Sequence, residues 1–273
     1  MLRLMYITND PGIAEIVQNC GVDRIFVDLE YIWKSDRQGG MDTVQSKHTI
    51  DDIKNVRKVL TTSELLVRCN PIHEASAEYG SSGDEIDAIV ESGADIIMLP
   101  YFKTAAEVRR FVELVDSRAK TMILIETPEA VEAIDDILDV AGVDEYFVGL
   151  NDLSLGYGKR FMFELLSDGT VENLCNKFRE RSLVYGFGGI AAIGRGILPA
   201  EHVIAEHYRL GSSCVILSRS FCDVSRMESE DAVKELFEAG MKEIREYEEF
   251  CEKQNDRFFE DNICTVKHII SQL

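Results

Sequence analysis

The sequence predicts a single-domain (β/α)₈ barrel, a TIM barrel of class α/β, over residues 1–273, with a helical C-terminal region at 229–273. Three observations predict it: eight short apolar runs, amphipathic segments between them, and a length of 273 residues, close to the roughly 250 of such barrels. The strand candidates span 4–7, 24–29, 65–69, 95–99, 122–126, 145–148, 186–191 and 214–217. Strand–helix alternation implies parallel strands with right-handed crossovers. A doubly wound open sheet is the alternative.

Helical periodicity fills the intervals between these runs. The candidate helices lie near 11–20, 50–61, 84–92, 104–118, 128–140, 170–184, 199–210 and 229–253. Thr49 and Asp52 form a candidate capping pair, and Pro128 and Pro199 stand where first-turn prolines belong. The last long helix has one apolar face, which predicts packing on the barrel or on a partner subunit.

Charge and composition exclude several classes of protein. The chain has 49 acidic and 29 basic residues, a net charge of −20, which repels nucleic-acid phosphates. No run approaches the ~20 apolar residues of a membrane span, and the N-terminus lacks signal-peptide features. Seven cysteines without C-x-x-C spacing indicate reduced thiols. We therefore expect a cytoplasmic protein with neither nucleic-acid nor membrane partners.

Polar residues gather at the predicted carboxyl ends of the strands, where barrel active sites lie. The motifs are VDLE (27–30), VRCNP (67–71), IET (125–127) and GLNDLS (149–154). Because side chains alternate along a strand, Glu126 points into the barrel mouth if residues 123 and 125 face the helices. Long connections at 31–48 and 149–169 are candidate functional elements.

Glu126 and Asp152 would come from adjacent strand ends and form a candidate metal site. Two carboxylates suit an octahedral hard cation such as Mg²⁺ or Mn²⁺ and leave coordination positions open for a bidentate keto acid. The alternative is that each carboxylate caps a helix or pairs with an arginine.

Arg68 is the arginine expected to end a strand facing inward. Its guanidinium fits a carboxylate bidentately, so its partner is either a substrate carboxylate or, structurally, Asp28 or Glu30. Lys120 stands at the start of the fifth strand, just before the candidate run 122–126 and at the opposite end of the barrel, and no lysine ends the sixth. Schiff-base chemistry is therefore disfavoured.

Taken together, these motifs resemble the HpcH/HpaI aldolase and citrate lyase β-subunit family. The resemblance runs over roughly 22–217 and also includes GADIIMLP (93–100), LIETPEAV (124–131) and FVGLNDLSLG (147–156). It implies an oligomeric, metal-dependent barrel in which Glu126 and Asp152 ligate the ion. It also implies that Arg68 contacts the keto-acid carboxylate or enolate, and that the substrate cradle is completed by the backbone at Gly149, Leu150 and Asn151.

The function implied by this resemblance is that of a carbon–carbon lyase, similar to class II pyruvate aldolases, acting on a small 2-keto acid. A citrate lyase-like acyl-CoA lyase and a non-catalytic keto-acid-binding barrel are the alternatives. The sequence departs from the aldolases at Tyr31, where they typically carry a histidine base, and at Leu124, where they often carry glutamine. An unperturbed tyrosine, with a pKa of about 10, is a poor base at neutral pH.

Other histidines are candidates for the missing base. His48 and His73 follow the second and third strands, and with Arg68 and Tyr31 we take His48 into the predicted catalytic set. His202 and His207 are interpreted as part of a solvated helix face. The glycine-rich stretch 186–196, near Arg195 and Arg219, leaves open an anionic substrate tail, although glycine packing is the favoured interpretation.

Overall fold

Eight parallel strands pair in chain order, and the eighth returns to the first to close a barrel. The computed structural model describes residues 1–32 and 47–273. The (β/α)₈ prediction is confirmed, and each strand lies within two residues of its predicted bounds. The strands are β1 (Arg3–Ile7), β2 (Arg24–Asp28), β3 (Glu64–Arg68), β4 (Ile96–Leu99), β5 (Lys120–Ile125), β6 (Glu145–Val148), β7 (Val184–Ile190) and β8 (Cys214–Leu217).

Apolar side chains fill both faces of the strands, as expected where helices cover the outside of a parallel sheet. On β5, Ile123 and Ile125 belong to the layer between strands and helices, whereas Met122 and Leu124 lie inside the barrel. This alternation confirms the predicted inward side of β5 and carries it on to Glu126, the next residue. The barrel interior is packed by Met5, Phe26, Leu66, Ile96, Met98, Met122, Leu124, Phe147 and Cys214.

The helices follow the predicted intervals, and seven of the twelve that the described residues form begin at a side-chain cap. Thr49 and Asp52 form the expected capping box, and Pro128 opens its helix. The helices are α1 (Pro11–Asn19), α2 (Ile50–Val59), α3 (Ser82–Glu91), α4 (Ala105–Val115), α5 (Pro128–Glu132), α6 (Ile134–Leu138), α7 (Leu150–Gly156), α8 (Glu164–Ser167), α9 (Thr170–Glu180), α10 (Ala200–Leu210), α11 (Glu230–Cys251) and α12 (Asp256–Ser271).

Three regions differ from the sequence prediction. The interval 128–140 divides at Ala133 into α5 and α6, and the connection 149–169 contains α7 and α8. The C-terminal region holds a second helix, α12, which Asn255 caps and which packs against α10. Most of the predicted loop 31–48 lies outside the described residues.

The long C-terminal helix α11 packs against the barrel. It lies against α1, and its Phe237 ring meets Tyr6 edge to face at 4.9 Å. The first of the two predicted alternatives for its apolar face, packing on the barrel, is therefore confirmed. Packing on a partner subunit stays a prediction.

The register of β2 against β3 places charged pairs at both ends of the barrel. Arg24 pairs with Glu64 at the start of the two strands, and Asp28 with Arg68 at their end. At the start, the buried Arg24 guanidinium donates to Glu145 at 2.7 and 2.6 Å and to Glu64 at 2.9 Å. Lys120 lies 2.6 Å from Glu64, at the end of the barrel opposite the mouth, as expected.

Burial explains the state of the thiols. All seven cysteines are free, and five of them are buried. Burial raises the pKa of Cys175 and of Cys214 to about 12, so both are protonated at neutral pH. Within residues 1–32 and 47–273, the structure contains no helix with the length and apolar character needed to cross a membrane.

Candidate active site at the barrel mouth

Arg68 ends β3 and is held by two carboxylates of the β2 exit. Its Nε and Nη2 donate to the two Asp28 oxygens at 2.8 and 2.7 Å, and its Nη1 lies 3.4 Å from Glu30. The structural alternative drawn from sequence is therefore present. Because Asp28 uses the Nε–Nη2 edge of the guanidinium, a substrate anion would share the Nη1 side with Glu30.

The electrostatics of Arg68 connect the strand ends. Burial disfavours the charged guanidinium, but the charges of Asp28 and Glu30 outweigh it and hold the pKa of Arg68 well above its usual value. Glu126 raises that pKa further, so it lies within electrostatic reach of Arg68. The structure thus brings together the two predicted site residues from β3 and β5.

Glu126 directly follows β5 and is 3% exposed. Its Oε1 accepts a hydrogen bond of 3.0 Å from the backbone N–H of Tyr101, after β4. Tyr101 has a φ of 49°, in the left-handed region that non-glycine residues rarely adopt. Such a conformation costs of order 1–3 kcal/mol, and at Tyr101 it aims the amide at the Glu126 carboxylate.

Asp152 follows Gly149, the glycine that packs against Glu126. It lies in the first turn of α7 and is 9% exposed, and Gly149 is the N-cap of that helix. A Cβ atom at Gly149 would lie 2.9 Å from Glu126 Oε2, so only glycine permits this approach. The Gly149 amide donates to the Ile125 carbonyl and is therefore already engaged. Of the backbone amides predicted to bind substrate, those of Leu150 and Asn151 remain.

This donor set fits a hard divalent cation. Glu126 and Asp152 offer two nearly buried carboxylates, and glycine at position 149 lets the start of α7 pack directly against Glu126. Among the described residues, no group of three or more His, Cys, Asp or Glu side chains is arranged to hold an ion. Bound by this pair, Mg²⁺ or Mn²⁺ would keep positions for water and substrate oxygens.

Tyr31 and His48 line a cleft of about 420 Å³ beside the β2 and β3 exits. His48 Nδ1 accepts a 3.0 Å hydrogen bond from the Asp28 amide, which places the proton of the neutral ring on Nε2. Tyr31 is 55% exposed, and burial of its hydroxyl and the nearby Glu85 raise its pKa. In this arrangement both side chains are hydrogen-bond donors.

His73 lines the same cleft in the opposite tautomer. Its Nδ1 lies 2.7 Å from the Pro71 carbonyl, which can only accept, so the ring proton is on Nδ1. Nε2 then carries the lone pair. His73 is thus the histidine of the cleft arranged to accept a proton.

The predicted solvated face of α10 is wrong for His207. The His207 ring is fully buried and stacks on Phe187 with 3.8 Å between ring centroids, because α10 packs over β7. Its Nδ1 lies 2.7 Å from Ser212 Oγ. The His202 Nδ1 lies 2.7 Å from Asn262 Oδ1, so α12, which the sequence prediction lacked, covers this side of the helix.

The glycine-rich stretch after β7 serves packing. A Cβ atom at Gly186 would lie 2.2 Å from the Cys214 carbonyl oxygen of β8, so the two strands approach too closely for any side chain. Arg195 and Arg219 are exposed. The nearby cavity, of about 140 Å³, has mainly apolar walls that include Phe161, Met162 and Leu198. These observations support the favoured interpretation of glycine packing.

One contributor to the site was missed by the sequence reasoning. Tyr101 acts through its backbone amide and a left-handed φ, which leave no side-chain pattern to read. The only available signal is position, because Tyr101 follows the LP dipeptide that ends the β4 motif.

The family model of HpcH/HpaI aldolase/citrate lyase matches residues 3–161. The chain belongs to this family. The predicted resemblance is thereby confirmed, and the chain falls within a family of lyase-type and aldolase-like enzymes. No curated relative matches it significantly.

Solved structures agree with the family fold. The chain is similar to the HpcH/HpaI aldolase from Desulfitobacterium hafniense DCB-2, with a TM-score of 0.59, 20% identity and coverage of 80% of this chain and 86% of that one. A family protein from Burkholderia cenocepacia J2315 gives 0.60, 14%, 80% and 89%. The citrate synthase SbnG gives 0.60, 17%, 79% and 86%. At these identities the likeness shows the fold alone.

Proposed function

We propose that this protein is a metal-dependent carbon–carbon lyase, similar to class II pyruvate aldolases, that cleaves or forms a bond next to a small 2-keto acid. The observation that supports it is the position of Glu126 at the β5 exit, within electrostatic reach of Arg68 at the β3 exit. Glu126 also packs against Gly149, the N-cap of the helix that carries Asp152 in its first turn. Family membership supports the same class of reaction.

Each of the three residues has a distinct proposed role. Glu126 and Asp152 hold Mg²⁺ or Mn²⁺, which supplies Lewis-acid polarisation of the keto oxygen when bound. Arg68 stabilises the negative charge of the enolate through its Nη1 edge, because Asp28 fixes the guanidinium before substrate arrives. Leu150 and Asn151 amides, at the start of α7, orient the substrate carboxylate.

The proton is moved on the β2–β3 side of the mouth. His48 and Tyr31 act there as hydrogen-bond donors to the carbonyl oxygen of the second substrate, since the His48 Nδ1 already accepts from the Asp28 amide. The Nε2 atom of His73 accepts the proton. This division follows from the tautomers that the backbone imposes on the two rings.

The test is deuterium exchange of the pyruvate methyl protons, followed by NMR with Mg²⁺ or Mn²⁺ added and removed. We expect metal-dependent exchange in the wild type and its loss, by at least about 100-fold, in Glu126→Ala. Exchange that survives the substitution at full rate would contradict the proposed site.

A non-catalytic keto-acid-binding barrel is the second candidate, and Tyr31 at the position of the family histidine favours it. It would bind pyruvate with metal yet show no exchange.

A citrate lyase-like acyl-CoA lyase, favoured by Leu124, is a further alternative. It would bind CoA in calorimetry, whereas the leading proposal expects no CoA binding. A cytoplasmic location and a homo-oligomeric state stay predictions.

A further inference from the structure

Asn70, the fourth residue of the VRCNP motif, forms hydrogen bonds through both the oxygen and the nitrogen of its side-chain amide, between the β2 and β3 exits. Its Oδ1 accepts from the backbone amides of Tyr31 and Ile32, both at 2.9 Å. Its Nδ2 donates to the Leu29 carbonyl at 3.2 Å and to Glu85 at 2.8 Å. The residue is 3% exposed, so the loss of one of these bonds leaves a buried polar group without a hydrogen-bond partner and costs free energy.

Glu85 supports Asn70 from helix α3. Its carboxylate accepts from the Asn70 backbone amide at 3.2 and 3.3 Å and from the Asn70 side chain. Because a carboxylate can only accept, it forces the Nδ2 group of Asn70 toward itself and Oδ1 toward β2. Glu85 therefore fixes the orientation of the amide, and we call Asn70 and Glu85 together the Asn70 bridge.

The bridge holds the peptide on either side of Glu30. Leu29 and Tyr31, the two neighbours of Glu30 in the chain, both bond to Asn70. Glu30 is fully buried, and its carboxylate lies 3.4 Å from Nη1 of Arg68, the edge assigned to the substrate. A change in the β2 exit thus changes the charge that faces this edge.

We propose that Asn70, oriented by Glu85, is a positioning residue that sets the β2 exit and thereby the placement of Glu30 against the substrate-facing edge of Arg68. Its effect on turnover rests on the proposed function, while its effect on the β2 exit does not. Asn70 touches neither substrate nor metal in this assignment.

The test exchanges the two polar groups of the bridge. Asn70→Asp is nearly isosteric but points a second carboxylate oxygen at Glu85 and at the Leu29 carbonyl. Adding Glu85→Gln supplies an amide N–H donor to this second carboxylate oxygen. The hydrogen bond between the side chains at positions 70 and 85 then forms again with donor and acceptor exchanged. We expect Asn70→Asp to raise amide hydrogen exchange at Tyr31 and Ile32 by about tenfold, and the double variant to recover part of it.

The kinetic arm uses pyruvate methyl exchange under saturating metal. We expect Asn70→Asp to lower kcat/KM by about 10-fold or more, mainly through KM, because Glu30 shifts against the Arg68 edge that faces the keto acid. The double variant should recover most of the loss. A purely structural role would instead lower the folded fraction and leave KM unchanged.

Asn262→Asp is the matched control. Asn262 is also buried and donates to a buried glutamate, Glu206, at 2.8 Å and to the His202 carbonyl at 3.1 Å, on the outer helices. It should reduce stability without changing KM. The proposal is overturned if Asn70→Asp behaves like Asn262→Asp in kinetics, or if its amide exchange at Tyr31 and Ile32 is unchanged. If the wild type shows no pyruvate exchange, the proposed function fails, and amide exchange alone decides the role of the bridge.

Discussion

The two ends of the β2–β3 strand pair use the same chemistry for different purposes. At the amino end, Arg24 is saturated by Glu145 and Glu64, and Lys120 adds a further positive charge. At the carboxyl end, Arg68 meets the carboxylates of the β2 exit. Among the described residues that end β2, β3, β5 and β6, acids predominate: Asp28, Glu30, Glu126 and Asp152.

The difference shows how one fold separates stability from function. A saturated buried ion pair holds neighbouring strands together but offers nothing to a ligand. At the carboxyl end the arginine–carboxylate pair lies beside Glu126 and Asp152, whose carboxylates are of the kind that ligate a divalent cation. We therefore assign the amino end to the stability of the barrel and the carboxyl end to binding and chemistry.

The largest expected effect is on stability at the amino end. Arg24→Met removes the buried partner of Glu145 and leaves that carboxylate only the more exposed Arg3, 3.5 Å away. We expect a loss of about 3–5 kcal/mol in the free energy of unfolding, measured by urea denaturation. Pyruvate exchange per folded molecule should stay at the wild-type rate. A stable but inactive variant would break the division between the two ends.

A smaller effect is expected on activity at the carboxyl end. Arg68→Lys keeps the charge but loses the two-point contact with Asp28 and the planar edge for the keto acid. We expect kcat/KM for pyruvate exchange to fall about 100-fold, the equivalent of about 2.7 kcal/mol. Arg24→Lys is the control and should keep its kcat/KM. An equal loss in both variants would contradict the comparison.

We expect the loss of stability at acid pH to depend on a third region, the buried ring of His207 on α10, and not on either end of the β2–β3 pair. Burial lowers the pKa of His207 from 6.5 to about 3, so the folded protein holds this ring neutral. Below pH 6.5 the unfolded chain takes up a proton that the folded chain refuses, and stability falls as the pH drops toward 3.

At pH 5 the contribution amounts to about 2 kcal/mol, at 1.36 kcal/mol per pH unit below 6.5. We expect urea denaturation at pH 7 and pH 5 to show this loss in the wild type, and a loss smaller by that amount in His207→Gln. If the two proteins lose stability equally between these pH values, His207 is not the group that titrates.

Much of this architecture could be predicted from the sequence. Strands of a parallel barrel are buried on both faces, so they appear as continuous apolar runs, and the ends of β1 to β8 follow from those runs. The inward side of Glu126 followed from alternation along β5. The capping box of Thr49 and Asp52 is local in sequence and could therefore be read directly.

What could not be predicted depends on contacts that are distant in sequence. The β2–β3 register decides that Arg68 bonds to Asp28, whereas the sequence left both a substrate partner and a structural partner open. His207 is buried because α10 packs over β7, and α12 covers the His202 side of the same helix. Periodicity alone does not reveal either packing. The hydrogen bonds of Asn70 span about 40 residues in the chain.

The most direct test of the account compares Mn²⁺ binding, followed by electron paramagnetic resonance, in the wild type, Glu126→Gln and Glu145→Gln. Both variants replace a nearly buried glutamate by its isosteric amide, one at each end of the barrel. We expect Glu126→Gln to lose Mn²⁺ binding with its Tm retained, and Glu145→Gln to bind Mn²⁺ with a lowered Tm. Undiminished Mn²⁺ binding by Glu126→Gln, or its loss in folded Glu145→Gln, would contradict the assignment of the metal to the barrel mouth.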